Sequence, residues 1–351
     1  MRVGFFTGTY FPRKDGVCYT VKTWKRELEK RGHEVYVIYP GVEGYDPDEN
    51  EIPVASIPDP WYYGHRMPTP IGTRKFPELD IVHCHSPGSL GLLGRYYAWR
   101  KGIPSVFSFH TPLEEYIEGF VGDNVFSRLL KRLFVAADEK YLETFDVVTA
   151  NTEIIRNRNI DPEPLPVGID EGFFRPRDSD LLGDMDLERP VAGYSGRLSD
   201  EKNIGRTLEM AEEFPGTVMI VGNGHSESKL KEKAGENVVF MDYLPREDLP
   251  KFYSEIDVFV HSSTGDTFSI TSVEANACGT PVVAPEVHPF DRIIEEENGR
   301  LYRLDDTREM LEKTLEAVDS DLNPREVAKK YSVEETIERL ERIYGGLSDG
   351  N

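Results

Sequence analysis

Cysteine is scarce: Cys18, Cys84 and Cys278 are scattered over 351 residues with no paired spacing. Neither a disulfide framework nor a zinc site is supported by such a count. No run of about eighteen apolar residues occurs, which excludes a membrane-spanning helix as an expectation. The first residues lack the basic-then-apolar pattern of a secretory signal. The sequence therefore reads as cytoplasmic, with peripheral contact at the inner face of the cell membrane as its nearest approach to lipid. Short repeats and low-complexity tracts are absent as well. Positive charge is in deficit, with 41 Lys+Arg against 63 Asp+Glu, a net charge of −22, and only 16 lysines. Nucleic acid is a poor partner for that balance, since phosphate contacts need clustered cations. A hydrated acidic surface suits a salt-loving organism, where salt screens self-repulsion. The deficit is uneven. Residues 1–170 hold 20 basic and 24 acidic side chains, while the rest holds 21 and 39.

What the chain does contain is strand–helix alternation, too long for one ordinary core. "MRVGFF" reads as a buried strand. "VCYTVKTWKRELEKRG" places Val17, Val21, Trp24 and Leu28 at helical spacing, with Gly32 as a stop. "HEVYVIYP", "LDIVHCHSP", "IPSVFSFHTP" and "FDVVTAN" continue the strands, with helices through "GLLGRYYAWRKG" and 124–144. "PLPVGIDEGFFRPRDSDLLGDMD" breaks the rhythm with prolines, glycines and aspartates, as an inter-domain connection does. The alternation restarts in "RPVAGYSGRLSDEKN" and runs through "GTVMIVGNG", "ENVVFMDYL", "IDVFVHSS" and "TPVVAP". The expected fold is α/β, with two doubly wound, Rossmann-like parallel-sheet domains facing across a cleft. Residues 1–170 would form the first domain and 171–330 the second. Residues 331–351 read as a C-terminal helix able to cross back to the first.

"GDTFSITSVEANACGTPVVA" carries Asp266 and Glu274, eight residues apart. One reading puts them on a loop and a solvated helix face. The other turns both toward a polyhydroxylated ligand, because carboxylates accept hydrogen bonds from vicinal hydroxyls. A helix starting near Phe268 or Ser269 would offer backbone N–H groups and its positive dipole end to an anion. "YSGRLSDEKN" adds Arg197 and Lys202 after a strand, placed to neutralise a leaving phosphate. The competing reading pairs these cations with Asp200 and Glu201.

These stretches resemble glycosyltransferase family 4, the retaining enzymes of GT-B fold. "DTFSITSVEANACGTPVVA" is similar to their acidic-x7-acidic signature, with Asp266 where glutamate is commoner and Ser269 where glycine is usual. "YSGRLSDEKN" is similar to their Gly-Arg-x4-Lys segment. "YFPRKDGVCYT" resembles their first Gly-rich loop with one glycine, Gly16. "MIVGNGHSESKL" and "MDYLPREDLPKFYSEIDVFV" resemble segments that hold the nucleotide base through main-chain groups, and "LPVGIDEGFF" an inter-domain segment. The resemblance implies a metal-independent hexosyltransferase with no cofactor, using a nucleotide-diphosphate sugar, a UDP-sugar before a GDP-sugar. It implies His110, Arg197, Lys202 and Asp266 as catalytic residues. Donor contacts would come from Gly16, Arg197, Lys202, Gly222, Gly224, Leu244, Asp266, Phe268, Ser269, Ile270 and Glu274, the last on the ribose. No side chain stands out as a nucleophile, and the resemblance implies that the acceptor attacks from the leaving group's face, with a donor phosphate oxygen taking its proton.

"HTPLEEY", beginning at His110, resembles members that glycosylate diacylglycerol-type lipids, which makes a lipid the expected acceptor. "DNVFSRLLKRLFVAADEKYLE" sets Arg128, Lys131 and Arg132 beside a broad apolar face. Ordinary packing and membrane contact both remain open for it. A soluble sugar or carrier-linked glycan is the alternative acceptor. A nucleotide-sugar epimerase and a non-catalytic nucleotide-sugar-binding subunit are the rival functions. His83 and His85 in "VHCHSP" have no third ligand nearby and read as structural. The pairs Asp178/Asp180 and Asp184/Asp186 lie in the connecting segment of an acidic chain, and no metal site is expected.

Overall fold

In the computed structural model of the protein, the described residues are 1–13, 15–58, 66–69, 76–110, 125–155 and 157–348. They fall into two compact units, Met1–Val167 with Thr336–Asn351, and Gly168–Glu335.

The first unit contains strands β1 (Arg2–Phe6), β2 (Glu34–Pro40), β3 (Glu51–Val54), β4 (Ser56–Pro58), β5 (Arg66–Pro68), β6 (Ile81–Cys84), β7 (Ser105–Phe109), β8 (Val147–Ala150) and β9 (Glu163–Pro164). Its helices are α1 (Gly16–Lys30), α2 (Ser89–Lys101) and α3 (Val125–Leu142). The main sheet runs β3-β2-β1-β6-β7-β8-β9, and every neighbouring pair is parallel, while β4 and β5 form a small antiparallel pair. β6 and β7 are buried along their whole length, as strands covered on both faces must be, which is why they read as unbroken apolar runs. Asp15 caps α1 by accepting a hydrogen bond from the Cys18 N–H, and the helix buries Val21, Trp24 and Leu28. α2 stops at Gly102, which takes the left-handed conformation. The chain steps from β6 through α2, β7 and α3 to β8 in one direction. Right-handed crossovers therefore set α2 and α3 on the same face of the sheet.

The second unit contains β10 (Val191–Ser195), β11 (Thr217–Val221), β12 (Val238–Met241), β13 (Val258–Val260), β14 (Val282–Pro285) and β15 (Gly299–Tyr302). Its helices are α4 (Ile204–Ala211), α5 (Glu227–Lys233), α6 (Leu249–Glu255), α7 (Ile270–Ala277), α8 (Phe290–Ile293), α9 (Thr307–Asp319) and α10 (Pro324–Ala328). The final helix α11 (Val333–Ser348) belongs to the first unit from Thr336 onward. The sheet order is β12-β11-β10-β13-β14-β15, all parallel. Ala192, Tyr194, Ile220, Val258, Val260 and Val283 lie in one core cluster of this unit. The direction of winding reverses between β10 and β13. An open α/β sheet binds its ligand beyond the carboxyl ends of its strands at such a reversal, here the ends of β10 and β13.

Candidate active site

The loop after β10 carries Arg197 and Lys202, and the loop after β13 runs from His261 to Ser269. Three hydrogen bonds stitch them together. Ser262 Oγ donates to the Lys202 carbonyl at 2.9 Å, Ser263 Oγ to the Glu201 carbonyl at 3.3 Å, and Asn203 Nδ2 to Thr264 Oγ1 at 3.1 Å. An ion pair completes the join: Lys202 Nζ lies 2.6 Å from Asp266 Oδ1, with the side chains 16% and 15% exposed. His261 is buried and places Nε2 3.5 Å from Asp266 Oδ2. Burial alone would raise the Asp266 carboxyl, but Lys202 and His261 beside it bring it down to about 2. Burial pushes the His261 imidazole down to about 4, against the pull of Asp266. Arg197 sits apart, its guanidinium 4.0 Å from Glu201. Pairing with the neighbouring acids thus describes Arg197 but not Lys202. Asp200 instead accepts a hydrogen bond from Ser226 Oγ at 2.7 Å.

Helix α7 follows directly. It begins at Ile270, one or two residues later than the sequence suggested, and Ser269 is its N-cap with φ 57° and ψ 66°. That is left-handed backbone, the conformation for which glycine is the default. Ser269 Oγ turns to Ser272 Oγ at 2.7 Å, and the Phe268 ring is buried edge-on against Tyr331. Neither side chain is turned outward, so any donor contact here would fall to the backbone. Glu274 is 5% exposed, which overturns the solvated-face reading of this carboxylate. It accepts from the Tyr253 hydroxyl at 3.2 Å, and that hydroxyl is 2.8 Å from Ser195 Oγ. Burial pushes the Glu274 carboxyl up to about 7, opposed by Arg246 and by the Tyr253 hydrogen bond.

Gly222 and Gly224 do permit a close backbone approach, and it is to their own unit. A Cβ at Gly222, where φ is +133°, would stand 1.9 Å from the Gly196 carbonyl oxygen; one at Gly224 would stand 2.2 Å from that of Leu198. The glycines let the loop after β11 press against the Arg197 loop. Leu244 is half-buried in the segment after β12.

In the first unit, Gly16 opens α1 and His110 follows the last residue of β7. His85 follows β6 and points Nδ1 at His110 Nε2, 3.1 Å away. His83 stacks on His85, and its two ring nitrogens engage Tyr344 and Ser108 at 2.6 and 2.7 Å. A structural role for His83 follows from that full set of partners. Burial lowers all three imidazoles; that of His110 falls to about 4, although Asp15 pulls it upward. The remainder of "HTPLEEY", residues 111–116, lies outside the described residues.

Among the described residues, helix α3 does not pack by its apolar face. Val125, Phe126, Leu129 and Leu133 are 77, 61, 54 and 60% exposed, whereas Ser127 and Asp138 are buried. Arg128 and Arg132 are exposed and Lys131 is half-buried among them. On α2, Leu92, Tyr96 and Trp99 form a second exposed stripe, with Trp99 at 68%. Sequence reasoning missed that stripe, and also His261, Tyr253 and the His85–His110 contact. The one available signal was position, since each histidine ends a buried strand. Among the described residues, no group of three or more His, Cys, Asp or Glu could hold a metal ion, and no helix is long and apolar enough to cross a membrane.

Residues 14–166 match the family described as Glycosyltransferase Family 4, and residues 189–320 match Glycosyl transferases group 1. An alpha-monoglucosyldiacylglycerol synthase of Streptococcus pneumoniae is 30% identical over 317 residues, covering 81% of this chain and 71% of that protein. The corresponding synthase of Acholeplasma laidlawii is 30% identical over 339 residues, covering 84% and 83%. The chain belongs to glycosyltransferase family 4. It is a hexosyltransferase, and its fold is GT-B. Sucrose-phosphate synthase of Thermosynechococcus elongatus superposes with a TM-score of 0.75 over 100% of both chains at 18% identity. Another family 4 relative, a GDP-mannose-dependent alpha-mannosyltransferase of Mycolicibacterium smegmatis, is 30% identical over 324 residues, covering 87% and 85%.

Proposed function

We propose that this family 4 enzyme transfers a hexose, with retention, from a UDP-sugar to a glycerolipid acceptor at a membrane surface. The observation that carries the donor half is the Lys202–Asp266 pair at the reversal of strand order. A diphosphate entering there meets Lys202, Arg197 and the backbone N–H groups opening α7, which together offset the negative charge that grows as the glycosidic bond breaks. Asp266 and His110 would hold the sugar and Glu274 the ribose. Gly16, Gly222, Gly224 and Leu244 would shape the approach to the donor, with Phe268, Ser269 and Ile270 contributing main chain. No metal is required by this scheme, because the cations and N–H groups supply the positive charge.

The acceptor half rests on the exposed stripes of α2 and α3. Residues 81–113 contain no Asp or Glu, and neither do residues 125–137, in a chain of net charge −22. Two neighbouring helices that bear Arg100, Lys101, Arg128, Lys131 and Arg132 around exposed Trp, Tyr, Phe and Leu match an anionic bilayer surface. The names of the first two relatives, glucosyldiacylglycerol synthases, support a glucosyl donor and a diacylglycerol acceptor. Their alpha products are what retention gives from an α-linked nucleotide sugar. The mannosyltransferase relatives make GDP-mannose the competing donor.

The test incubates purified protein with UDP-glucose or GDP-mannose and with vesicles containing diacylglycerol, with and without chelator. UDP release and a new alpha-glycolipid, both insensitive to chelator, are the expected result. Turnover of GDP-mannose alone would overturn the donor assignment. Transfer to a soluble glycan but not to vesicles would overturn the acceptor assignment.

A further inference from the structure

We infer that His85 is a positioning residue that holds His110 as the neutral tautomer carrying its proton on Nδ1. The argument starts from one atom. His85 is buried at 3% exposure, and its Nε2 has no hydrogen-bond partner among the described residues. Its Nδ1 faces His110 Nε2 at 3.1 Å, in rings within 11° of parallel.

Two neutral imidazoles can share one such bond in two ways. If His110 donated from Nε2, His85 would accept at Nδ1 and carry its own proton on the orphaned Nε2, burying an N–H with nothing to receive it. If His85 donates from Nδ1, its Nε2 is a bare lone pair, and the group left unsatisfied is an acceptor. Among backbone groups, orphaned buried N–H donors are rarer than under-satisfied acceptors, and we extend that preference to the imidazole. The second arrangement is the one we infer, and it places the proton of His110 on Nδ1.

The surroundings keep both rings neutral. Phe5 and Trp24 meet the His85 ring at 4.7 and 5.6 Å, and His83 stacks behind it at 4.3 Å. His83 is itself anchored by Tyr344 of α11 and Ser108 of β7. Asp15, the N-cap of α1, is the carboxylate that favours a charged His110. A second proton on His110 would have to enter at Nε2, directly against the His85 N–H. His85 thus opposes Asp15 and extends the neutral range of His110 toward acid.

Nitrogen-15 NMR of the imidazole-labelled protein reads the tautomer directly, with His110 assigned by the loss of its signals in His110→Gln. A pyrrole-type Nδ1 and pyridine-type Nε2 at His110 are expected. The reverse pattern would overturn the inference, whatever reaction the enzyme catalyses. The consequence for turnover rests on the proposed glycosyl transfer. His85→Phe keeps the ring volume without the donor and should lower kcat on the order of tenfold with little change in KM. It should also move the acid limb of the rate profile upward in pH. His85→Asn, whose Nδ2–H can replace Nδ1–H, should restore both. An acid limb unmoved in His85→Phe would reject the positioning role. Should that variant fail to fold, the spectrum of the unmodified protein still decides.

Discussion

Lys202 Nζ stands 2.6 Å from Asp266 Oδ1, tying the loop after β10 to the loop after β13. The pair is both a structural join and a charge reserve. Removing Lys202 strips a preorganised cation from the donor site, which typically costs about a hundredfold in turnover. It also leaves a largely buried carboxylate alone, a loss of about 3 kcal/mol in folding stability. Lys202→Ala should therefore fail on both counts. Adding Asp266→Asn should recover most of the stability, read as the urea midpoint, without recovering kcat. A double variant that regains turnover would show that Lys202 serves the fold alone.

Two carboxyls should give the stability curve opposite slopes in separate pH windows. Asp266 is held at about 2, below its ordinary 3.8, so its contribution is present above about pH 4 and disappears as pH falls toward 2. Glu274 is held at about 7, above its ordinary 4.5. Its contribution is complete below about 4.5 and disappears as pH rises through 7. Unfolding midpoints of Glu274→Gln across pH 4 to 8 should flatten in that upper window, since the amide cannot ionise. A slope unchanged by the substitution would mean that Glu274 is not the group responsible.

The doubly wound order was legible because buried parallel strands print themselves as apolar runs, and "VAGYS", "TVMIV" and "VVAP" were read in that way. The Lys202–Asp266 meeting was not legible. Sixty-four residues separate them, and no local pattern reports which loops a strand order will bring together. The same blindness hid His85 and His110, which end adjacent strands 25 residues apart. Helix α3 stayed undecided in the sequence for a different reason. Its amphipathic pattern shows that an apolar face exists, not that the chain itself covers it.

Ser269 tests whether α7 offers its backbone or a side chain. At φ 57° a non-glycine residue is strained by about 1–2 kcal/mol, while glycine would lose about 0.5–1 kcal/mol in chain entropy. Ser269→Gly should therefore stay within about 1 kcal/mol of the parent in stability. Ser269→Val, β-branched in left-handed backbone, should lose about 2 kcal/mol or more. The glycine variant should keep its KM for the nucleotide sugar, because the hydroxyl is turned to Ser272. A clear rise in KM would assign the hydroxyl a direct donor contact.

The acceptor proposal makes the sharpest demand on α2 and α3. Each Lys or Arg near an anionic surface contributes about 1 kcal/mol to binding, and interfacial Trp anchors at headgroup level. Arg128→Glu with Arg132→Glu should weaken binding to anionic vesicles by at least about 2 kcal/mol, and Trp99→Ser should weaken it independently. Transfer to vesicle-embedded acceptor should fall in step, while hydrolysis of the donor alone persists. Screening shortens the reach of these charges as salt rises, so the comparison belongs at the lowest salt that keeps so acidic a chain folded. The two helices separate the contributions. Charge reversal on α3 should act mainly through salt-sensitive attraction, and loss of Trp99 should persist at high salt because it removes an apolar contact. If the parent protein ignores anionic vesicles at low salt, the exposed stripes serve another partner and the soluble-glycan acceptor takes precedence. The diphosphate-binding argument would be untouched by that outcome, because Arg197, Lys202, Asp266 and the start of α7 all lie within the second unit.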